Sequence, residues 1–310
     1  MHFAAWAAAV AEPGSPVAER RRILALAAAG VCALGVVATG ALGLAVDAGR
    51  DRDAAMLHGF TGLDGSRVHS EIRAIALLAD PVPYTLVGLL FIAVALARRR
   101  GWRASAAAIV LVGSGATTYA LKHLTPQSRY EDWLFGDQAR ASWPSGHATA
   151  AMTLALCAVI VAAPAWRAAT ALGGCAYAVG LAYATLALTW HYPSDMFAGF
   201  FIAGLWVSVA LAVLAHLEGE DPGPEPVPLF GWLGAVGGAG ALVATAMVWV
   251  ASVRAPIDAA DRATAAACAL ALAALALTLV AVTLLVASEG EANARRDAAR
   301  PRLARRRVAS

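Results

Sequence analysis

Residues 144–163 read PSGHATAAMTLALCAVIVAA. The first four residues are a helix-start signal, with Pro and a capping Ser ahead of a long regular run. The sixteen that follow His147 contain no charge and show neither alternation nor a polar stripe. A helix that is apolar on every side belongs in a core or in a bilayer. The rest of the chain decides between these. Of the 310 residues, 60% are hydrophobic and only 15% are charged, and the mean hydropathy is +0.64. Soluble domains carry about 25% charged residues, so this composition excludes an ordinary soluble enzyme and a disordered chain. A net charge of +3, with its arginines in local clusters, is no nucleic-acid footprint.

A bilayer core of about 30 Å takes roughly 20 apolar residues per helix. Eight stretches meet that need, near 23–46, 81–97, 104–121, 145–163, 168–190, 193–216, 229–252 and 264–287. The expected fold is therefore all-α, a polytopic transmembrane bundle of about eight spans. Its parts are an N-terminal segment (1–22), a six-helix unit (23–216), a Pro-rich linker (217–228), a C-terminal helix pair (229–287) and a basic tail (288–310). The apolar stretch before Glu12 lacks a basic region at its start, so 23–46 reads as an anchor and not as a cleavable signal. The outer loop 47–80 is long enough for a short interfacial helix. The tail is polar and basic, and its composition predicts disorder with contact to anionic lipid. The four cysteines all fall within spans and show no disulfide or metal spacing.

Basic residues set the orientation. With eight spans, 15 of the 24 Lys and Arg residues fall on one side, in 20–22, 98–103, at Arg167 and in the tail. The positive-inside rule then puts both termini in the cytoplasm. Of the 24, a single one is Lys, Lys122.

Three polar clusters share the opposite, outer side: Lys122 to Arg129 after the third span, Pro144 to His147 before the fourth, and Trp190 to Asp195 between the fifth and sixth. Polar groups at span ends are functional candidates. Lys122 and Arg129 suit an anion. Ser145 and Gly146 sit where free N–H groups and the helix dipole favour phosphate. His147 and His191 supply a nucleophile and a general acid, and Asp195 is spaced to hold His191 in one tautomer. Singly, each has a plainer reading. Lys122 and Arg129 are snorkelling residues, Asp195 is a helix cap, and His191 belongs to an aromatic belt. Together, on one face, they compose a phosphoryl-transfer site that needs no metal and no cofactor.

The three clusters resemble the signature motifs of the type 2 phosphatidic acid phosphatase superfamily. The first motif, Lys, six residues, Arg-Pro, is matched by Lys122 and Arg129, with Tyr130 in place of Pro. The second, Pro-Ser-Gly-His, is matched in full by 144–147. The third, Ser-Arg, five residues, His, three residues, Asp, is matched by His191 and Asp195, with Ala184 and Thr185 in place of Ser-Arg. The resemblance covers about 81–216 and makes 23–216 a six-helix phosphatase core. It implies that His191 attacks phosphorus, Asp195 holds it, and His147 protonates the leaving oxygen. It further implies that Lys122, Arg129 and the N–H groups near Ser145 and Gly146 bind phosphate. Arg140 is the candidate substitute for the missing motif Arg. The implied partners are membrane lipids and a lipid phosphate or diphosphate substrate: a polyprenyl diphosphate, phosphatidylglycerol phosphate or phosphatidic acid. The implied place is the outer face of the cell membrane. A head-group phosphotransferase of the sphingomyelin-synthase-like kind stays open because such relatives also lack that Arg, as does a non-catalytic protein that retains the fold. Neither the lipid nor the oligomeric state is legible.

Overall fold

The computed structural model describes residues 16–61, 69–125, 143–217 and 259–308. Among them every regular element is helical. In chain order these are α1 (Pro16–Gly40, prolonged by a π turn, Ala41–Ala45), α2 (Asp47–Phe60), α3 (His69–Leu77), α4 (Pro81–Ala97), α5 (Gly101–Leu124), α6 (Gly146–Val161), α7 (Arg167–Ala187), α8 (Pro193–Leu217) and α9 (Ala259–Val308). Among the described residues five helical segments are long and apolar enough to cross a membrane, at Ala18–Ala45, Gly101–Leu124, Pro164–Ala187, Pro193–Leu217 and Ala260–Ala287. The pair α3 and α4, bent by 50° at its break, makes a sixth if taken as one span. These helices mark a multi-pass membrane protein. Each apolar stretch read from the sequence has a helix at its position, except 229–252, which lies outside the described residues together with most of the Pro-rich linker.

Helix α6 organises the bundle. It packs against α4, α5, α7, α8 and α9, and its residues 148–157 and 159–161 are all buried. Its 16 residues measure about 24 Å at 1.5 Å per residue, short of a bilayer core. A helix wrapped by others need not match the lipid thickness. Small residues let the neighbours close in. A Cβ at Gly174 on α7 would lie 2.9 Å from the Ala155 Cβ of α6. The outward faces are apolar instead: Val31, Leu34 and Val37 on α1, Val82 and Leu86 on α4 and Val112 on α5 are exposed. Hydrocarbon is the medium in which such faces are satisfied.

The two ends of α6 differ in chemistry. At its C-terminus the last carbonyls have no intrahelical partner. Arg98 donates to the Val161 carbonyl at 3.1 Å and Arg103 to Ile160 at 3.2 Å. At the same end of the bundle, Arg21 donates to Val286 at 2.8 Å and Arg167 to Ala287 at 3.4 Å on α9. Cations at helix C-termini also complement the dipole. The tail departs from its expectation, because α9 continues without a break to Val308. Fourteen of the 21 residues 288–308 are Ala, Glu or Arg, good helix formers, and a preformed helix spares the segment the nucleation step, so the helix passes Gly290 and Pro301. The outer loop yields two short helices, α2 and α3, in place of one.

Candidate active site

The N-terminal end of α6 meets the loop between α7 and α8. Helix α7 closes with a Schellman motif: Thr189 N–H donates to the Leu186 carbonyl and Trp190 N–H to Thr185, each at 3.0 Å. Thr189 takes the left-handed position, φ 56°, where Gly is the usual residue. A β-branched residue there is strained, and strain of this kind gathers at sites whose surroundings over-determine the backbone. The motif turns the chain directly into Trp190 and His191.

Asp195 is the third residue of α8 and reaches back over its own helix start. Its Oδ2 accepts the Tyr192 N–H at 2.9 Å and lies 3.4 Å from His191 Nδ1. One carboxylate thus makes both contacts, the cap on the helix start and the approach to the His191 ring. The side chain is fully buried. The Ser194 N–H is taken from outside the helix by Asp53 of α2, at 2.9 Å, and Asp53 also accepts the Ser194 hydroxyl. Because Asp53 and Asp195 cap this turn together, the first turn of α8 is fixed from two sides.

Ser145 caps α6, its Oγ accepting the Ala148 N–H at 3.2 Å. Its own N–H donates to the Asp195 carbonyl at 3.0 Å, so the starts of α6 and α8 are tied directly. Gly199 makes that approach possible: a Cβ there would lie 2.8 Å from the Thr149 nitrogen and 2.9 Å from the Ser145 carbonyl oxygen. Gly146 is glycine for a different reason. Among the described residues a Cβ at 146 would meet nothing within 4 Å, so they leave the space before the helix start open. Among the described residues the N–H groups of Gly146 and His147 have no hydrogen-bond partner. Two such N–H groups at a helix N-terminus make an anion-binding corner.

The two histidines face each other, ring centroids 5.9 Å apart, and Trp190 packs on His147 at 5.5 Å. His147 Nε2 lies 3.2 Å from the carboxylate of Asp80, the residue that precedes α4. Lys122, near the end of α5, interacts electrostatically with both Asp195 and His147. The structure thus brings Lys122, Ser145, Gly146, His147, His191 and Asp195 into one place, as the motifs imply. Arg129 and Arg140 lie outside the described residues. Thr185, where the motif Arg would stand, is buried. Its hydroxyl donates to the Leu181 and Ala182 carbonyls and contacts Met196 Sδ at 3.4 Å, so this position offers the site no charge. Among the described residues no group of three or more His, Cys, Asp or Glu is placed to hold a metal.

Asp53 and Asp80 were not singled out in the sequence. For Asp80 a signal existed: Asp-Pro-Val-Pro puts Pro at the first and third helical positions. A capping side chain binds the N–H of the second or third residue, and Pro83 has none.

Residues 103–217 match the PAP2 superfamily model. No curated protein and no solved structure matches the chain. The matched region, 103–217, runs from the first turn of α5 to the end of α8 and includes the positions of all three motifs, in agreement with the resemblance to the type 2 phosphatidic acid phosphatase superfamily. PAP2 proteins are in general phosphatases, and a PAP2 region set among apolar helices fits a membrane protein of phosphatase type.

Proposed function

We propose that the protein is a metal-independent lipid phosphatase working through a phosphohistidine on His191. The observation that carries this is the opposed pair of imidazoles, each with one nitrogen held by a carboxylate, in front of the open N-terminus of α6. Asp195 accepts from Nδ1–H of His191, which leaves the Nε2 lone pair to attack phosphorus. The Nε2–P bond forms as the bond to the leaving oxygen breaks. His147 gives that oxygen a proton and then takes one from the attacking water, which releases phosphate and restores His191. Lys122, Arg129 and the N–H groups of Gly146 and His147 bind the phosphoryl oxygens, with Ser145 fixing the helix start, and Arg140 stands in for the absent motif Arg.

The site lies at the end of α6 away from Arg98 and Arg103, and the basic clusters of 20–22 and Arg167 lie at that same far end. Positive-inside orientation then puts both termini in the cytoplasm and the site at the outer head-group level. A lipid-linked phosphate or diphosphate reaches it from the bilayer. The buried, uncharged Thr185 supports one other reading, transfer of the phospho-head-group to an alcohol.

Purified protein in detergent, given phosphatidic acid, phosphatidylglycerol phosphate and a polyprenyl diphosphate with EDTA present, tests the proposal. The expected result is release of inorganic phosphate from at least one of them. Head-group transfer without free phosphate replaces hydrolysis by transfer, and collapse of activity with EDTA overturns the metal-free route.

A further inference from the structure

Asp80 sits at the corner between α3 and α4 and is a carboxylate released from its local task. It occupies the capping position of α4, yet its side chain makes no capping hydrogen bond. Pro83 removes one of the two N–H groups a capping side chain can take, and the carboxylate does not take the other, that of Val82. The backbone of the corner is nevertheless held. Asp80 N–H donates to the Leu77 carbonyl at 3.2 Å, Tyr84 N–H donates to the Asp80 carbonyl at 3.0 Å, and the Tyr177 hydroxyl of α7 donates to Leu78 at 3.3 Å. A fixed backbone and an unused carboxylate leave the side chain aimed at a residue 67 positions away, His147, with Oδ1 3.2 Å from Nε2.

We propose that Asp80 is the positioning residue of His147, the counterpart of Asp195 for His191. The inference rests on the phosphatase reading above. Asp80 accepts from Nε2–H, so the proton exchanged with the leaving oxygen is carried on Nδ1, which has no hydrogen-bond partner among the described residues. In the first step Nδ1–H goes to the leaving oxygen as its bond to phosphorus breaks, and the imidazolium becomes neutral imidazole. In the second step Nδ1 takes a proton from water as the oxygen–phosphorus bond forms and Nε2–P of His191 breaks. The carboxylate favours the imidazolium in both steps. It opposes the positive charge of Lys122 from α5; the other titratable group facing this ring is His191, from the loop before α8.

The test compares wild type with Asp80→Asn and Asp80→Glu on two probes, dioctanoyl phosphatidic acid and 4-nitrophenyl phosphate. An alkoxide leaving group needs a proton and 4-nitrophenolate does not. Asp80→Asn is expected to lower kcat/KM, which reports the steps through transfer to His191 and not the hydrolysis common to both probes, about tenfold or more on phosphatidic acid, within the range general-acid catalysis supplies, and under threefold on the nitrophenyl ester. The basic limb of its kcat/KM profile is expected about half to one unit lower, because loss of a nearby negative charge makes the imidazolium deprotonate more readily. Asp80→Glu should recover part of the loss. Equal loss of kcat/KM on both probes, or no loss on either, overturns the positioning role while wild-type hydrolysis leaves the phosphatase reading standing. If wild type releases phosphate from neither probe nor from the lipids of the previous experiment, both readings fall.

Discussion

The two carboxylate–histidine pairs at this site are alike in composition and opposite in setting. The His191 side chain is 8% exposed and its partner Asp195 0%. For His147 and Asp80 the figures are 23% and 40%. The first pair lies within four residues at the start of one helix; the second joins residues 67 positions apart. A nucleophile gains from being held dry, in one tautomer, by a partner that cannot move. A group that trades protons with a leaving oxygen and then with water has to meet solvent. The difference in burial matches that division of labour, and each way of breaking it has its own kinetic signature.

The largest effect is expected on the buried side. His191→Ala removes the atom that bonds to phosphorus, and turnover should fall by about 10³-fold or more on every substrate, good leaving group or poor. A non-catalytic protein that keeps the fold would have no turnover to lose and an unchanged phenotype with His191→Ala, and that outcome sinks either enzymatic reading. Next comes the exposed pair. His147→Ala should cost about 10²–10⁴-fold in kcat/KM on phosphatidic acid and far less on 4-nitrophenyl phosphate, because kcat/KM leaves out the hydrolysis step the two substrates share. Equal losses on the two substrates would assign His147 to binding and leave the site without an acid.

Much of this was legible from residue types and spacing because it depends on local sequence. The helix start at Pro144–His147, the spacing from His191 to Asp195, and the apolar stretches all follow from neighbours along the chain. The placement of seven of the eight stretches needed no tertiary knowledge. What the sequence hid is tertiary. Asp53 and Asp80 act on residues far away, and nothing in their own neighbourhood names the partner. Thr185 marks the limit in another way. Its sequence shows that a cation is missing, but only packing shows the hydroxyl turned into its own helix and against Met196. The helical tail was missed because composition alone weighs charge against burial and does not see a helix already nucleated upstream.

Between the two pairs stands the anion corner, and two glycines separate its chemistry from its construction. Gly146→Ala places a methyl in open space, so the fold should persist in thermal unfolding while activity drops about ten- to a hundredfold, because a phosphoryl group no longer reaches the backbone closely. Gly199→Ala drives a methyl into the backbone of residues 145 and 149 and should destabilise the protein first. If Gly146→Ala keeps full turnover, phosphate does not approach that corner, and the two pairs would have to bind it by side chains alone.

The smallest expected effect concerns Lys122, the residue that interacts with both pairs, through Asp195 on one side and His147 on the other. It is the lone Lys among 24 basic residues, so a chain that otherwise uses Arg has an ammonium at a position within electrostatic reach of both pairs. Lys122→Arg keeps the charge and replaces a compact point donor with a planar fork. A loss of about three- to tenfold, mostly in KM, is the outcome expected if charge matters more than shape. Unchanged kinetics would make the single lysine an accident of composition. A loss as large as that of His147→Ala would mean that the ammonium fixes the distance between the two pairs, and the contrast between them would then depend on this one cation as much as on burial.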